Sequence, residues 1–433
     1  MTDAKVLLWK TEIGAVSWLE ENEIGVFQYN PDFLDSDIQL SPIKMPLSQT
    51  PYQFPELAKN TYRGLPGMLA DSLPDKFGNA IIDAWLASQG RTVESFNPVA
   101  RLCYIGSRGM GGLEFEPAIS GLPTATKKIE VAKLVELSNL VLSQRAKLGG
   151  VLSGSDDQKA LNDILRVGTS AGGARAKAIL AWNPNTNQFR SGQISAGSGY
   201  EYWIMKFDGV SNNKDKEVAD PQGFGKIEYA YYLMAAQAGV KMMPCRLHHE
   251  GGRSHFMTKR FDRTDDGQKL HMQSLCAIAH FDFNQPNSYS YEQALQTMKF
   301  LNLPKGDLHE QVLRTIFNVV GRNQDDHVKN IAFLMNRNGE WSLSPAFDIS
   351  YAYNPDGAWT GKHQMSINGK QDNFTRQDIH NLAEIAGMKP NMADEMIENV
   401  VSIFGKWGDI ATEAGINDHV IDQIQSAFYL EFK

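Results

Sequence analysis

The stretch GRNQDDHVKN, residues 321–330, is densely polar and lies between two apolar stretches. Within it, Asp325 and Asn330 are five positions apart. A carboxylate can accept the proton of an attacking hydroxyl group, and an amide oxygen can bind Mg²⁺, a hard cation that prefers oxygen ligands. A hydrated surface loop without a chemical role is the alternative, because most polar loops are inert.

The segments on either side must position this loop. DLHEQVLRTIFNVVG predicts a helix, because its apolar residues recur on one face. That face carries Leu308, Val312, Ile316, Phe317 and Val320. After the loop, NIAFLM predicts a buried strand and NRNG (336–339) a tight hairpin turn. The returning strand, WSLSPAFDIS, ends in Asp348.

Helix, polar loop, hairpin and aspartate follow one another in this order in protein kinases, whose catalytic loop spaces its base aspartate and metal-binding asparagine in the same way. The order assigns Asp325 as the base, and Asn330 and Asp348 as magnesium ligands. Asp326 is expected to point to solvent, with assistance in metal binding as the alternative. His327 either orients the loop through a hydrogen bond or caps it.

The nucleotide side is predicted from two further segments. VGTSAGGARAKAILAW (167–182) has a glycine-containing loop before Lys177, and small residues let backbone N–H groups approach phosphate oxygens. A plain hairpin turn is the alternative. EYWIMKFDG predicts a strand with Lys206 at its end, where a buried ammonium group needs an anion unless it reaches solvent. KIEYAYYLMAAQAGV predicts a helix with Glu228 in its first turn. There Glu228 either stabilises the helix N-terminus or contacts Lys206.

HFMTKRFDR predicts a strand that leads into the connection where kinases bind adenine through backbone groups. We expect such contacts from Thr258 to Phe261, which includes Lys259 and Arg260. The alternative is an ordinary core strand with Arg260 and Arg263 exposed.

Bulk composition limits the class of protein. A 42% hydrophobic and 21% charged chain of 433 residues predicts a folded soluble protein. The net charge of −8 argues against a broad basic surface for nucleic acid. Three isolated cysteines argue against a zinc site or disulfides. Because no signal peptide or apolar run of about 18 residues is present, we expect a cytoplasmic protein without a membrane span.

The Gly- and Ser-rich segment KLGGVLSGSDD (147–157) predicts a domain boundary. Residues 1–150 form a strand-rich mixed domain in this interpretation, with strands at KVLLW, AVSWL and IGVFQY. A helix follows, on which Phe77, Ile81 and Trp85 recur every four residues. Residues 151–433 form the kinase core, with a mainly helical C-terminal part. The predicted fold class is α+β, a bilobed protein-kinase-like fold.

Five motifs together resemble the HipA family, the kinase toxins of type II toxin–antitoxin modules: TSAGGARAK, YWIMKFDG, KRFDR, NQDDHVKN and LSPAFDISYAYNP. The resemblance implies a serine/threonine kinase that uses ATP and Mg²⁺ and has a HipA-type N-terminal domain. It also implies a HipB-like dimeric antitoxin, operator DNA bound through the antitoxin complex, and nucleoid association in that complex. Glutamyl-tRNA synthetase is the protein substrate that it suggests.

The same resemblance assigns roles residue by residue. Asp325 is the base, Asn330 and Asp348 hold Mg²⁺, and Lys206 binds the phosphates. The loop covering the phosphates consists of Gly172, Gly173, Ala174, Arg175, Ala176 and Lys177. Further nucleotide contacts are expected from Lys259, Arg260, Phe261 and His327. Ser170 matches the autophosphorylated loop serine, with Thr169 as its neighbour and competitor.

Two positions depart from the family pattern, Arg175 in place of an uncharged polar residue and Asp326 in place of a glycine. Neither change removes an essential group, but both leave the protein substrate open. Two other functions remain alternatives: a non-catalytic corepressor, and a kinase that acts on a small molecule.

Overall fold

The computed structural model describes residues 2–119, 128–143, 164, 165, 167, 168, 175–210 and 223–432. These residues fall into two compact units. Unit 1 is drawn from Met1–Ser41, Met45–Gln222 and Arg246–Met272. Unit 2 is drawn from Pro42–Lys44, Gly223–Cys245 and Gln273–Lys433.

Unit 1 begins with an antiparallel sheet of β1 (Thr2–Leu8), β2 (Thr11–Leu19), β3 (Ile24–Tyr29) and β4 (Leu113–Glu116). Its strand order is β3-β2-β1-β4. Buried and more exposed residues alternate along β1, which is the period-two pattern of a sheet with one buried face. The three N-terminal strands predicted from sequence are confirmed.

The second sheet contains β5 (Lys177–Asn183), β6 (Gln188–Ser191), β7 (Glu201–Lys206), β8 (Cys245–Glu250) and β9 (Arg253–Lys259). Its order is β6-β5-β7-β9-β8, and β7 runs antiparallel to both of its neighbours. The central position of β7 explains why its sequence is largely apolar.

The helices of unit 1 are α1 (Pro31–Leu34), α2 (Lys59–Tyr62), α3 (Gly67–Ala70), α4 (Lys76–Ser88), α5 (Pro98–Ile105) and α6 (Val131–Ser143). The predicted helix through Phe77 is confirmed as α4, which begins where the side chain of Asp75 accepts a hydrogen bond from the Gly78 N–H at 2.6 Å.

One apolar core joins α4 and α6 to the second sheet. Ile81 and Val135 contribute from the helices, and Leu180, Met205 and Met257 contribute from β5, β7 and β9. The core therefore includes residues from both sides of the predicted boundary at residue 150, which itself lies outside the described residues.

Unit 2 is mainly helical, as predicted for the C-terminal part. Its helices are α7 (Phe224–Ala238), α8 (Leu275–Ala279), α9 (Tyr291–Phe300), α10 (Lys305–Val320), α11 (Arg376–Ile385), α12 (Pro390–Phe404), α13 (Trp407–Glu413) and α14 (Asp418–Ala427). The short strand β10 (His271–Ser274) ends in this unit, and β11 (Ala332–Met335) pairs antiparallel with β12 (Trp341–Leu343).

An aromatic cluster packs α7, α10, α12 and α13 together. Tyr231 makes edge contacts with Phe317, Phe404 and Trp407, with ring centroids 5.7–6.3 Å apart. Its hydroxyl donates a 2.6 Å hydrogen bond to the carbonyl of Gly321, and burial raises the pKa of Tyr231 well above its ordinary value. A Cβ atom on Gly321 would lie 2.5 Å from the Phe404 ring, so this close approach requires a glycine at the end of α10.

The three cysteines are free and buried, in agreement with the expectation that the chain has no disulfides. Among the described residues, no helix is both long and apolar enough to span a bilayer.

Two buried histidines make unfolding pH-dependent. Burial lowers the pKa of His271 to about 3 and that of His255 to about 4, whereas an unfolded histidine titrates near 6.5. Between pH 6.5 and 4 the unfolded chain therefore binds more protons, so the free energy of unfolding falls as the pH falls. In urea unfolding, His271→Gln should make this slope shallower by about 1.4 kcal/mol per pH unit between pH 6 and 4. Equal slopes for variant and parent, referenced to their stabilities at pH 8, would contradict this assignment.

Candidate active site

The polar loop predicted from sequence connects α10 to the β11–β12 hairpin, and Asp348 follows the hairpin. The predicted order of helix, loop, hairpin and aspartate is therefore confirmed. All four residues of β11 are buried, and Met335 pairs with Trp341 across the hairpin. The connection is wider than a two-residue turn. It closes through the Asn336 N–H, which donates to the Glu340 carbonyl at 3.1 Å.

Backbone hydrogen bonds fix the start of the loop. The Asn323 N–H donates to the Asn318 carbonyl at 2.9 Å, and the Gln324 N–H donates to the Ala352 carbonyl at 3.1 Å. The Ala352 N–H returns a bond to the Arg322 carbonyl, also at 3.1 Å. Together with the bond from Tyr231 to Gly321, these contacts hold the backbone before Asp325 in one conformation.

The side chain of Asp325 is 46% exposed, and both of its described contacts are made by one oxygen. The indole N–H of Trp359 donates to Oδ1 at 2.7 Å, and His327 Nε2 lies 3.8 Å from the same atom. The other carboxylate oxygen, Oδ2, is the atom that remains to accept a proton.

Asn330 is oriented by the loop itself. Its amide nitrogen donates to the backbone carbonyl of Asp325 at 2.7 Å, so its amide oxygen is the atom left for a cation. Asp348 has a φ of +53°, in the left-handed region that non-glycine residues adopt rarely and often at functional sites.

The metal-binding prediction concerns one carboxylate and one amide. Among the described residues, no group of three or more His, Cys, Asp or Glu side chains could hold a metal ion. Mg²⁺ commonly takes only one or two protein ligands and completes its shell with water and phosphate oxygens. Asn330 and Asp348 fit this donor set, and their role as ligands stays a prediction.

Asp326 does not point to solvent, and this expectation was wrong. Its side chain is only 1% exposed. The carboxylate accepts hydrogen bonds from the Tyr291 hydroxyl at 2.6 Å, from His363 Nδ1 at 2.8 Å and from the Gln364 N–H at 2.8 Å. Three donors compensate the loss of water around the buried charge, so Asp326 anchors the loop from inside.

His327 precedes a short 3-10 turn (Val328–Asn330) and makes no side-chain capping hydrogen bond to it. Its ring lies against Phe283 and Trp359, with centroids 5.4 Å and 6.4 Å away. Its Nε2 lies 3.8 Å from Asp325 Oδ1, which is beyond hydrogen-bond distance, so the structure shows neither the orienting hydrogen bond nor the cap.

In unit 1, Lys206 ends β7 and lies directly opposite Lys177, the first residue of β5. Directly opposite residues of antiparallel strands project to the same face, so the two ammonium groups share one side of the sheet. Lys177 is buried, with Nζ 3.6 Å from Asp75 Oδ2. Lys206 is partly buried, and its Nζ lies 5.7 Å from the centroid of the Phe256 ring.

The segment around Arg260 is not an exposed strand end, and its role in binding adenine stays a prediction. Arg260 is 1% exposed and donates to both carboxylate oxygens of Asp262, at 2.8 Å and 2.7 Å. Its backbone N–H donates to the Tyr202 carbonyl at 2.8 Å. Arg263 is also buried and donates to Asp262 Oδ2 at 2.7 Å, so the alternative of two exposed arginines was wrong.

Asp262 lies between these two guanidinium groups. Burial by itself would raise the pKa of Asp262, but the charges of Arg260 and Arg263 outweigh it and hold this pKa well below its usual range. The Gly111 N–H also donates to Oδ2 at 2.7 Å, and Arg263 donates to the Gly109 carbonyl at 3.0 Å. The cluster thus ties the end of β9 to the turn before β4.

Some of the other residues predicted to contact the nucleotide are described by the structure, and some are not. Lys259 pairs with Trp203 in the β7–β9 ladder and forms an ion pair with Asp265 at 2.8 Å. Phe261 and Arg175 are partly buried, and Ala176 is buried. Outside the described residues lie Thr169, Ser170, Gly172, Gly173 and Ala174.

The helix prediction for residues 226–240 is confirmed as α7, but Glu228 is not in its first turn. The helix begins at Phe224, and its first turn contains no acidic residue. Glu228 is instead buried, at 3% exposure.

Two family models match the sequence. The HipA N-terminal domain matches residues 4–116. The HipA-like C-terminal domain matches residues 169–407, which is more than half of the chain. The chain belongs to the HipA family. No curated protein matches the sequence.

Among solved structures, the Shewanella oneidensis MR-1 toxin–antitoxin complex of HipA, HipB and operator DNA matches with a TM-score of 0.67 and 17% identity. The match covers 98% of this HipA-family chain and 95% of that chain, so the predicted α+β, HipA-like fold is confirmed. The Helicobacter pylori proinflammatory kinase CtkA matches with a TM-score of 0.36 and 14% identity over 60% of this chain and 90% of its own. The latter likeness is too low to support an argument.

Sequence reasoning missed the partners of the aspartate pair in this HipA-family chain. Trp359, Tyr291 and His363 are distant in sequence from residues 325 and 326, and no spacing rule connects them. The only signal in the sequence was the pair of adjacent aspartates. Two neighbouring carboxylates repel each other, so one of them can be expected to bind its own donors away from the other.

Replacing Asp262 tests the ion cluster of unit 1. Asp262→Asn removes the carboxylate that pairs with both buried guanidinium groups, and breaking a buried ion pair typically costs about 3–5 kcal/mol of unfolding free energy. Asp265→Asn is the matched control, because Asp265 is 87% exposed in its ion pair with Lys259 and should matter little. Urea unfolding of both variants measures the difference. Equal midpoints would show that the cluster does not stabilise unit 1.

Proposed function

We propose that this HipA-family protein is a serine/threonine kinase that uses ATP and Mg²⁺ and acts as the toxin of a toxin–antitoxin module. The observation that carries the proposal is the loop of residues 321–330. The side-chain amide of Asn330 donates to the backbone carbonyl of Asp325, and the Asp325 side chain is 46% exposed with its contacts on Oδ1. A hairpin then leads to Asp348. Protein kinases assemble their base and metal ligands on the same sequence of elements.

In the proposed reaction, Asp325 Oδ2 accepts the proton of the acceptor serine or threonine hydroxyl. The hydroxyl oxygen forms a bond to the γ-phosphorus of ATP while the bond from that phosphorus to ADP breaks. Asn330 Oδ1 and the Asp348 carboxylate are the groups that would hold Mg²⁺. Bound Mg²⁺ would neutralise charge on the phosphate oxygens.

Unit 1 supports the nucleotide side of the proposal. Lys177 and Lys206 project from one face of the β5–β7 pair, and like charges in such a pair repel each other. Lys177 forms an ion pair with Asp75 at 3.6 Å. Lys206 is the strand lysine of the kinase pattern, and such a lysine binds the phosphate oxygens of ATP.

Partners and substrate are proposed from family membership. The Shewanella oneidensis complex contains HipA, HipB and operator DNA, and we propose a HipB-like antitoxin for this chain. A net charge of −8 suits an arrangement in which the antitoxin makes most of the DNA contacts and this chain acts as corepressor. The proposed protein substrate is a component of translation such as glutamyl-tRNA synthetase.

The first test is intact mass after incubation with Mg²⁺ and ATP. The parent should gain one phosphate, at Ser170, and Asp325→Asn should slow phosphorylation by about 10²–10⁴-fold, because a general base is lost. Asp356→Asn is the matched control, an exposed aspartate of the same unit with no proposed role. An unchanged rate in Asp325→Asn removes Asp325 from the mechanism. ATP binding without any phosphate gain favours the non-catalytic corepressor.

A second test concerns Ser170. A phosphate there would add roughly −1.5 to −2 charge to a loop proposed to cover the phosphates of ATP. Ser170→Asp should therefore weaken ATP binding about tenfold, whereas Ser170→Ala should bind ATP as the parent does. Titration of a fluorescent ATP analogue measures all three affinities. The repulsion mechanism is wrong if Ser170→Asp binds as tightly as Ser170→Ala.

A further inference from the structure

Trp359 donates a hydrogen bond to the proposed catalytic aspartate, Asp325, although the two residues are 34 positions apart in the sequence. Its indole N–H lies 2.7 Å from Asp325 Oδ1. An indole N–H can only donate, and an ionised carboxylate can only accept, so the direction of this hydrogen bond is fixed. Bonds of this kind, to a charged group, are stronger than those between neutral groups.

A carboxylate has two equivalent oxygens and a broad side-chain torsion at its last bond. In a 46% exposed aspartate, nothing in the backbone selects which oxygen faces an incoming hydroxyl. The bond from Trp359 removes this freedom, because it engages Oδ1 and leaves Oδ2 for the proton. A general base works only when it is held within hydrogen-bond reach of the proton that it accepts.

The backbone around Trp359 is itself fixed to the catalytic loop. Residues 359–364 return to it twice more: the Gln364 N–H and His363 Nδ1 both donate to the buried carboxylate of Asp326, each at 2.8 Å. The side-chain amide of Gln364 also donates to the Trp359 carbonyl. Residues 359–364 thus donate hydrogen bonds to two consecutive aspartates, the exposed Asp325 and the buried Asp326.

We infer that Trp359 is a positioning residue for the proposed base Asp325, and that residues 359–364 hold it there through Asp326. This inference rests on the proposed kinase function. Trp359 touches neither nucleotide nor metal ligand in this assignment. Its loss should therefore change the rate of phosphoryl transfer and leave ATP binding as it is.

The variant Trp359→Phe keeps an aromatic ring beside His327, removes the N–H donor and leaves a smaller ring, whose packing effect the controls below measure. We expect kcat to fall about 10- to 100-fold, as for the loss of one hydrogen bond to a charged group, with KM for ATP changing less than about twofold. Trp18→Phe is the matched control. It also loses an indole N–H that donates to a carboxylate, that of Glu20 at 3.1 Å, but it lies in β2, a strand of unit 1 that has no proposed role in the reaction. It should keep kcat.

A double-mutant cycle separates positioning from a general loss of packing. If Trp359 acts through Asp325, Trp359→Phe should have no further effect on the residual rate of Asp325→Asn. A parent-like kcat in Trp359→Phe, or an undiminished effect in the Asp325→Asn background, overturns the inference while the kinase proposal stands. A parent protein that transfers no phosphate to itself or to a protein substrate overturns the kinase proposal itself.

Discussion

The burial of one carboxylate, that of Asp326, determines the geometry around the proposed catalytic residue. A buried charge is tolerated only when donors replace the lost water, and here the donors come from α9, from His363 and from a backbone N–H. Because Asp325 adjoins this anchor, it is held at a fixed place while its own carboxylate remains exposed. The burial of Asp326 and the fixed place of its exposed neighbour Asp325 are therefore two consequences of a single hydrogen-bond network.

Buried charges also stabilise unit 1, but there each charge is paired with a side chain of opposite sign. Asp262 forms ion pairs with two buried arginines and accepts a hydrogen bond from the Gly111 N–H, which joins the end of β9 to the turn before β4. Burial and the nearby charge of Arg263 lower the pKa of Lys269 to about 8, even though Glu114 lies 2.8 Å away. These contacts explain why residues matched by the HipA N-terminal model and β5–β9 belong to one compact unit.

Periodicity and turn chemistry were enough to predict α4, α10, the β11–β12 hairpin and the place of Asp348, because these features follow from local sequence. The environment of Asp326 could not be predicted, since aspartate is usually exposed and its three donors lie 35 or more residues away. The burial of Arg260 was also missed, because arginine is usually exposed and its burial depends on Asp262, two residues away, and on the carbonyl of Gly192, 68 residues away. Local patterns specify elements, whereas the protonation and burial of a side chain depend on what the fold brings beside it.

The three candidate functions place different demands on the loop. A corepressor requires a surface for its antitoxin, and nothing in that role requires an aspartate whose Oδ1 is held by an indole N–H. Either kind of kinase is favoured by a base held in one orientation, because the rate of proton transfer depends on that orientation. The choice between a protein and a small-molecule acceptor depends on what approaches Asp325 Oδ2. Trp359 lines a cavity of about 240 Å³ together with Pro286 and Lys362, and its indole N–H also bonds Asp325 Oδ1. A change at Trp359 that alters the rate in the Asp325 parent but not in Asp325→Asn would therefore report on the orientation of the proposed base and not on the cavity.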